Sequence, residues 1–181
     1  TIPVFEHGIC RFMYRRFVDP TGKGAYRYPF DIDKSNYVWG LDRPAKEYQG
    51  KIIPIHEGAL DALWVRQCGI PLSTAILGSF MSEVQARKIA AADPAEVVLF
   101  FGADEAGYDA TEHAGSLLQK HGIRVSYCRY TSNMGDDPAT CTAKQIARAV
   151  ERRKSYHHFR LASKVGRHPR IRGLMAVAQD N

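Results

Sequence analysis

Hydrophobic positions in the middle of the chain fall into short strand-length runs separated by helical stretches. Lys51–His56 is one such run, after which Gly58 opens a helix through Leu60, Leu63 and Trp64 that ends near Gly69. Ser73–Leu77 predicts a second strand, with Gly78-Ser79 as its turn. Ser82 caps a helix through Val84, Ile89 and Ala90, and Pro94 stands beyond its end. Val97–Phe101 predicts a strand, Tyr108–His121 a helix with Gly122 at its C-terminus, Ile123–Tyr130 a strand, and residues from about Thr142 to Lys154 a last helix. Strands separated by helices predict an α/β fold with a mainly parallel sheet of four to five strands, flanked by helices. Before Gly50 the rhythm differs. Gly8–Phe17 alternates apolar and basic positions, Asp19–Gly24 supplies turn chemistry for a hairpin, and Tyr26, Tyr28 and Phe30 keep a period of two. Residues 1–50 thus read as a small basic β-rich subdomain, 51–150 as the α/β domain, and 151–181 as a basic helix or tail broken by Gly166 and Pro169.

Composition adds bounds to this pattern. With 181 residues, 45% of them hydrophobic, the chain has material for one well-buried core with appendages. Its longest apolar run, Val97–Phe101, is far too short to span a bilayer, and no basic-then-apolar leader is present; a cytoplasmic protein without a membrane is expected. Cys10, Cys68, Cys128 and Cys141 form no C-x-x-C pair, so no zinc is expected and reduced thiols are. The net charge of +6 is local. Arg152–Gly173 holds eight Lys and Arg and no acid, and without them 17 basic residues stand against 19 acidic ones. A polyanion such as nucleic acid is the partner this tail favours, against the plainer reading of a solvated basic helix.

Acidic residues cluster just after three predicted strands: Glu57, Asp104, and the pair Asp136-Asp137. In open parallel sheets ligands sit beyond the carboxyl ends of the strands. Carboxylates gathered there repel one another unless a hard cation or a proton intervenes, and Mg²⁺ suits such a site in phosphate chemistry. One acid alone would read as a helix N-terminal charge; three at equivalent positions favour a metal.

The residues in this order carry a resemblance. Ile53–Leu63, with Glu57-Gly58 ending an apolar strand and Asp61 in the following helix, resembles the glutamate motif of the Toprim domain in bacterial and phage DNA primases. Ala75-Ile76-Leu77-Gly78-Ser79 is similar to the family's strand ending in Leu-Gly-Thr. Leu99–Gly107 resembles its Asp-x-Asp-x-Ala-Gly motif, and Met134–Pro138 its Gly-x-Asp-Pro motif. Upstream, Arg11–Arg16, the Tyr26/Tyr28 pair and Asp33–Leu41 resemble segments that precede the Toprim part of primases, which separates them from other Toprim proteins.

The resemblance implies a Toprim fold and a nucleotidyltransferase that makes short RNA primers on single-stranded DNA from ribonucleoside triphosphates. It implies Mg²⁺ or Mn²⁺ held by Glu57, Asp104 and Asp137 with Asp136 beside them, Glu57 also serving as acid or base. Asp61, Gly58 and Gly107 follow as supporting motif positions. Lys34 matches a basic residue that the family uses on phosphates; Arg11, Arg15 and Arg16 match as a cluster, and Arg152 and Arg153 join them from the basic tail. A bacterial or phage-infected cytoplasm, and a replicative helicase or separate zinc module as partner, are further implications. One departure matters: Gly102 stands where the first Asp of Asp-x-Asp is expected. It opens two alternatives on the same fold: a catalytically weakened relative that binds nucleic acid or a partner, and a Toprim nuclease. His56, beside Glu57, is expected to be a strand-end histidine satisfied by a backbone bond, and Tyr37 and Trp39 to pack the N-terminal segment on the sheet rather than to stack on bases.

Overall fold

The computed structural model describes residues 1–18, 26–128, 134 and 138–167, with side chains up to 163. Eight strands and five α-helices are found among the described residues. An antiparallel sheet, β1 (Ile2–Glu6), β2 (Ile9–Arg16) and β3 (Tyr26–Arg27), comes first. The alternation in β2 sorts its side chains as expected: Phe12 and Tyr14 are buried, while Arg11, Met13 and Arg15 face outward. The turn expected between β2 and β3, Asp19–Gly24, lies outside the described residues, although the two strands pair antiparallel as a hairpin requires.

The second sheet has the order β5-β4-β6-β7-β8, from β4 (Ile52–His56), β5 (Thr74–Ala75), β6 (Glu96–Leu99), β7 (Val125–Tyr127) and β8 (Lys154–Ser155). Its first four strands are parallel and β8 is antiparallel. Helices α1 (Ala59–Gln67), α2 (Glu83–Ala91), α3 (Glu105–Lys120), α4 (Ala143–Glu151) and α5 (Tyr156–Arg167) connect and cover it. The α/β fold with a mainly parallel five-stranded sheet and a small N-terminal β-sheet is therefore the one expected.

Strand alternation divides the core between two faces. Ile53, Ile55, Val97, Leu99 and Phe101 pack with Ile89 of α2, Leu117 and Leu118 of α3, and α5. Val98 and Phe100 pack on the opposite face with Val65 of α1 and Ile146 and Ala149 of α4. Burial on both faces is why these strands read as continuous apolar runs. Two helix starts are sealed by capping boxes, Ser82 with Gln85 and Thr142 with Gln145. A third cluster joins the N-terminal sheet to this body: Val4, Phe12 and Tyr14 meet Ala59 and Leu77, with Tyr37 and Trp39 packed against them. Trp39 donates its indole N–H to the Pro3 carbonyl at 3.0 Å. Those two aromatics pack the segment onto the sheet, as expected.

The start of the basic tail is where structure and sequence reading part. Strand β8 completes the main sheet, and Tyr156 and Phe159 of α5 belong to its core, so the boundary expected at residue 150 cuts through one packed unit. Gly115 makes this docking possible. A Cβ there would lie 2.2 Å from the Tyr156 ring, whose hydroxyl donates to the Glu112 carbonyl at 2.6 Å. A mid-helix glycine costs about 1 kcal/mol relative to alanine, and here it opens the notch that an aromatic fills. No helix among the described residues is long and apolar enough to cross a membrane.

Candidate functional site at the carboxyl edge of the sheet

The carboxyl ends of β4 and β6 open into a cleft of about 560 Å³ lined by Glu57, Asp61, Phe100, Phe101, Gly102, Ala103, Asp104 and Pro138. Each acidic group reaches it by a local rule. Glu57 follows the last residue of β4, so its backbone still continues the sheet, and its carbonyl accepts the Gly78 N–H at 3.0 Å. Its carboxylate accepts the Gly102 N–H at 3.3 Å, which ties the end of β4 to the loop after β6. Asp61 lies in the first turn of α1, with a carboxylate oxygen 2.9 Å from where a Gly58 Cβ would stand. Gly58 is thus the residue over which Asp61 folds back.

Asp104 is the N-cap of α3, accepting the Gly107 N–H at 2.8 Å. Gly107 has its own reason to be glycine, because a Cβ would stand 2.1 Å from the Gly102 carbonyl oxygen. The start of α3 is pressed directly on the loop that carries Gly102. Glu57 and Asp104 are hard oxygen donors in one cleft, which fits Mg²⁺ or Mn²⁺, since Mg²⁺ takes one or two carboxylates and completes its shell with water and phosphate oxygens. Among the described residues no three His, Cys, Asp or Glu side chains cluster closely enough to hold a metal ion. Asp136 and Asp137, expected to contribute there, lie outside the described residues.

His56 is fully buried beside Phe100, with ring centroids 5.5 Å apart, and among the described residues the Phe100 backbone is the polar group that meets its ring. Burial pushes the imidazole down to about 3, with the Phe100 backbone opposing only in part, so it is neutral at physiological pH.

The expected cations are dispersed. Lys34 reaches the site's margin: its ammonium would lie 3.2 Å from a Gly78 Cβ and sits 4.9 Å from the Tyr28 ring centroid. Burial, with neighbouring Tyr26, pushes the Tyr28 hydroxyl up to about 12, so it stays protonated. Burial and its tyrosine neighbours, with the Asp61 carboxylate, push Tyr14 up as well, which sets the N-terminal sheet beside Asp61. Arg15 is paired in register with Arg27 on the outer sheet, and Arg16 donates to the Tyr26 hydroxyl at 2.6 Å. Arg11 is engaged by Glu6 at 3.3 Å. Arg152 is the exposed C-cap of α4. Arg153 forks onto Glu96 at 3.0 and 2.8 Å, so its guanidinium is occupied inside the fold.

Against this geometry, residues 54–141 match the family model described as Toprim-like. A DNA primase of Helicobacter pylori is 31% identical over 114 residues, which are 62% of this chain and 20% of that protein. The chain spans about a fifth of the length of the curated relatives it matches. Two solved structures share the fold. The RNA polymerase domain of Mycobacterium tuberculosis primase DnaG superposes with a TM-score of 0.74 at 20% identity, covering 96% of this chain and 61% of that one. A DnaG primase catalytic domain bound to single-stranded DNA gives 0.72 at 18% identity, covering 97% and 59%.

Proposed function

We propose that this chain is a primase-type Toprim protein that synthesises short RNA primers on single-stranded DNA, with the carboxyl-edge cleft as the reaction site; the Toprim-like match over residues 54–141 and the similarity to DNA primases support this. The observation that carries the reading is that Glu57, Asp61 and Asp104, from the strand-to-helix junctions that follow the neighbouring strands β4 and β6, line one open cleft. In the reaction the 3′-hydroxyl of one ribonucleotide attacks the α-phosphate of the next, a P–O bond forms, and pyrophosphate leaves with the electrons of the broken bond. Glu57 stands at the strand end where it can take the hydroxyl proton, and the Gly102 N–H holds its carboxylate in place. Glu57 and Asp104, joined by Asp137, would hold a divalent ion, which when bound supplies positive charge opposite the triphosphate. Asp104 keeps one oxygen on the Gly107 N–H, so its side chain is fixed rather than free to swing.

Lys34 at the Gly78 margin would meet nucleotide phosphates, and Arg15, Arg16 and Arg152 would follow the template backbone. Template, ribonucleoside triphosphates, and a replicative helicase or separate zinc module are the partners this reading assigns. The test is synthesis of radiolabelled primers on single-stranded DNA with Mg²⁺ or Mn²⁺, with and without such a partner. Primer synthesis that depends on metal and on Glu57 supports the reading; none under any of these conditions removes it.

Gly102 supports a second reading, in which the same fold binds template or a partner with a weakened metal centre. A glycine brings no side-chain oxygen, so the cleft has one carboxylate fewer than the Toprim pattern it resembles. Titration with a divalent ion separates the two: binding in the cleft favours the enzyme, and no binding favours the second reading. Incubation with plasmid DNA and metal would expose a nuclease.

A further inference from the structure

Phe80 is not absorbed by the chemistry above. It lies two residues past Gly78, in the loop between β5 and α2, and 67% of its surface is exposed. Single exposed hydrophobic residues are common and mean little. This one is held. Its ring stacks on the His113 imidazole of α3 with centroids 3.8 Å apart and an interplanar angle of 27°. His113 is fixed in turn by a 2.9 Å hydrogen bond to the Met81 carbonyl; a carbonyl only accepts, so Nε2 carries the proton. One face of the phenyl ring is thus occupied by a positioned imidazole, and the exposure belongs to the rest of it. The same loop carries Gly78, over which the Lys34 ammonium lies and whose N–H bonds to the Glu57 carbonyl.

The Lys34 cation over Gly78 and the exposed Phe80 face two residues further on therefore meet at one loop, which Gly78 ties to Glu57. His113 is nine residues beyond the α3 N-cap Asp104, about 14 Å along the helix axis. That separation keeps Phe80 away from the reacting phosphates.

We infer that the Phe80–His113 stack is a platform for a nucleobase, working beside Lys34. The inference rests on the reading of the cleft as a nucleotidyl-transfer site and adds a base-binding residue to it. Stacking on an aromatic face tolerates any base. Because His113 fixes the ring before ligand arrives, little side-chain entropy remains to be lost on binding. The base belongs either to an incoming ribonucleotide or to the single-stranded template, and both present the same π-face.

The test uses the intact chain and its Phe80→Ala and Phe80→Trp variants. Equilibrium binding is measured for oligo(dT), an abasic strand of equal length, ATP, and inorganic triphosphate. Phe80→Ala is expected to weaken a base-bearing ligand by roughly tenfold, within the range for one stacked base, and to leave its base-free counterpart unchanged. Phe80→Trp should restore binding. Loss confined to oligo(dT) assigns the platform to template, and loss confined to ATP assigns it to the nucleotide. Equal binding of all ligands by the wild type and Phe80→Ala overturns the inference, as does equal loss of base-bearing and base-free ligands, or a wild-type chain that binds neither oligo(dT) nor ATP. Primer synthesis by the wild type, assayed in parallel, scores the underlying reading separately. A base-dependent loss without any primer synthesis keeps the platform and removes the polymerase.

Discussion

Strand β6 has carboxylates near both of its ends, and the two ends are finished in opposite ways. At the amino end Glu96 is 6% exposed and closed by both arms of the Arg153 guanidinium. At the carboxyl end the strand runs into Gly102, which lines an open cleft together with Glu57 and Asp104. Burial alone would raise the Glu96 carboxyl, but the hydrogen bonds and charge of Arg153 outweigh it and hold it below the usual range. A planar fork matched to a carboxylate makes a lock, whereas carboxylates that line an open cleft can accept a cation with its waters. The same residue type thus serves the fold at one end of a strand and is available for chemistry at the other.

Five variants would sharpen or break that contrast. Glu57→Gln should lower primer synthesis by a factor on the order of 10² to 10³ with little change in thermal unfolding. Activity near that of the wild type would show that the open end is not the reaction site. Arg153→Ala should do the reverse, lowering unfolding free energy by about 3 kcal/mol in a denaturant titration by leaving Glu96 buried and unpaired. The double replacement Glu96→Leu with Arg153→Met should recover most of that loss, because an apolar pair has no unpaired charge to bury.

His56, beside Phe100 at the carboxyl end, gives a pH signature. Its folded-state value of about 3 lies below the ordinary 6.5, so unfolding takes up a proton. The stabilisation is complete above pH 6.5 and is lost as pH falls toward 3. Between pH 7 and 5 the wild type should lose about 2 kcal/mol by this route, and His56→Leu should lose little. Glu96, also lowered on folding, adds its own acid sensitivity only below about pH 4.5. Equal acid profiles for the two proteins would remove the buried imidazole as the cause. The smallest expected effect is that of Gly102→Asp, which should tighten Mn²⁺ or Mg²⁺ binding on the order of tenfold by adding an oxygen ligand.

Much of this was legible locally. Val97–Phe101 announced a strand buried on both faces, and Ser82 and Thr142 marked helix starts that the structure seals with capping boxes. Glu57 and Asp104 follow their strands, so the rule about carboxyl edges was enough to expect them in one place. Contacts far apart in sequence were not legible. Arg153 reads as one more cation in a basic run, and nothing near it points to Glu96, 57 positions away. Tyr156 and Phe159 are the inward face of a helix whose basic residues dominate its composition, so a docked element read as a tail. The buried polar ring of His56 depends on what surrounds it in three dimensions.

Both margins of the parallel sheet are covered by residues that lie outside 54–141. On one side Trp39 exchanges backbone hydrogen bonds of 2.8 and 3.0 Å with Ala75 of β5, and on the other β8 pairs with β7. Trimming the protein to its family match would strip both covers and leave two rows of unpaired amides and carbonyls. Such edges recruit further strands. The trimmed piece is therefore expected to self-associate, and the flanking segments act as guards against aggregation as well as parts of the fold.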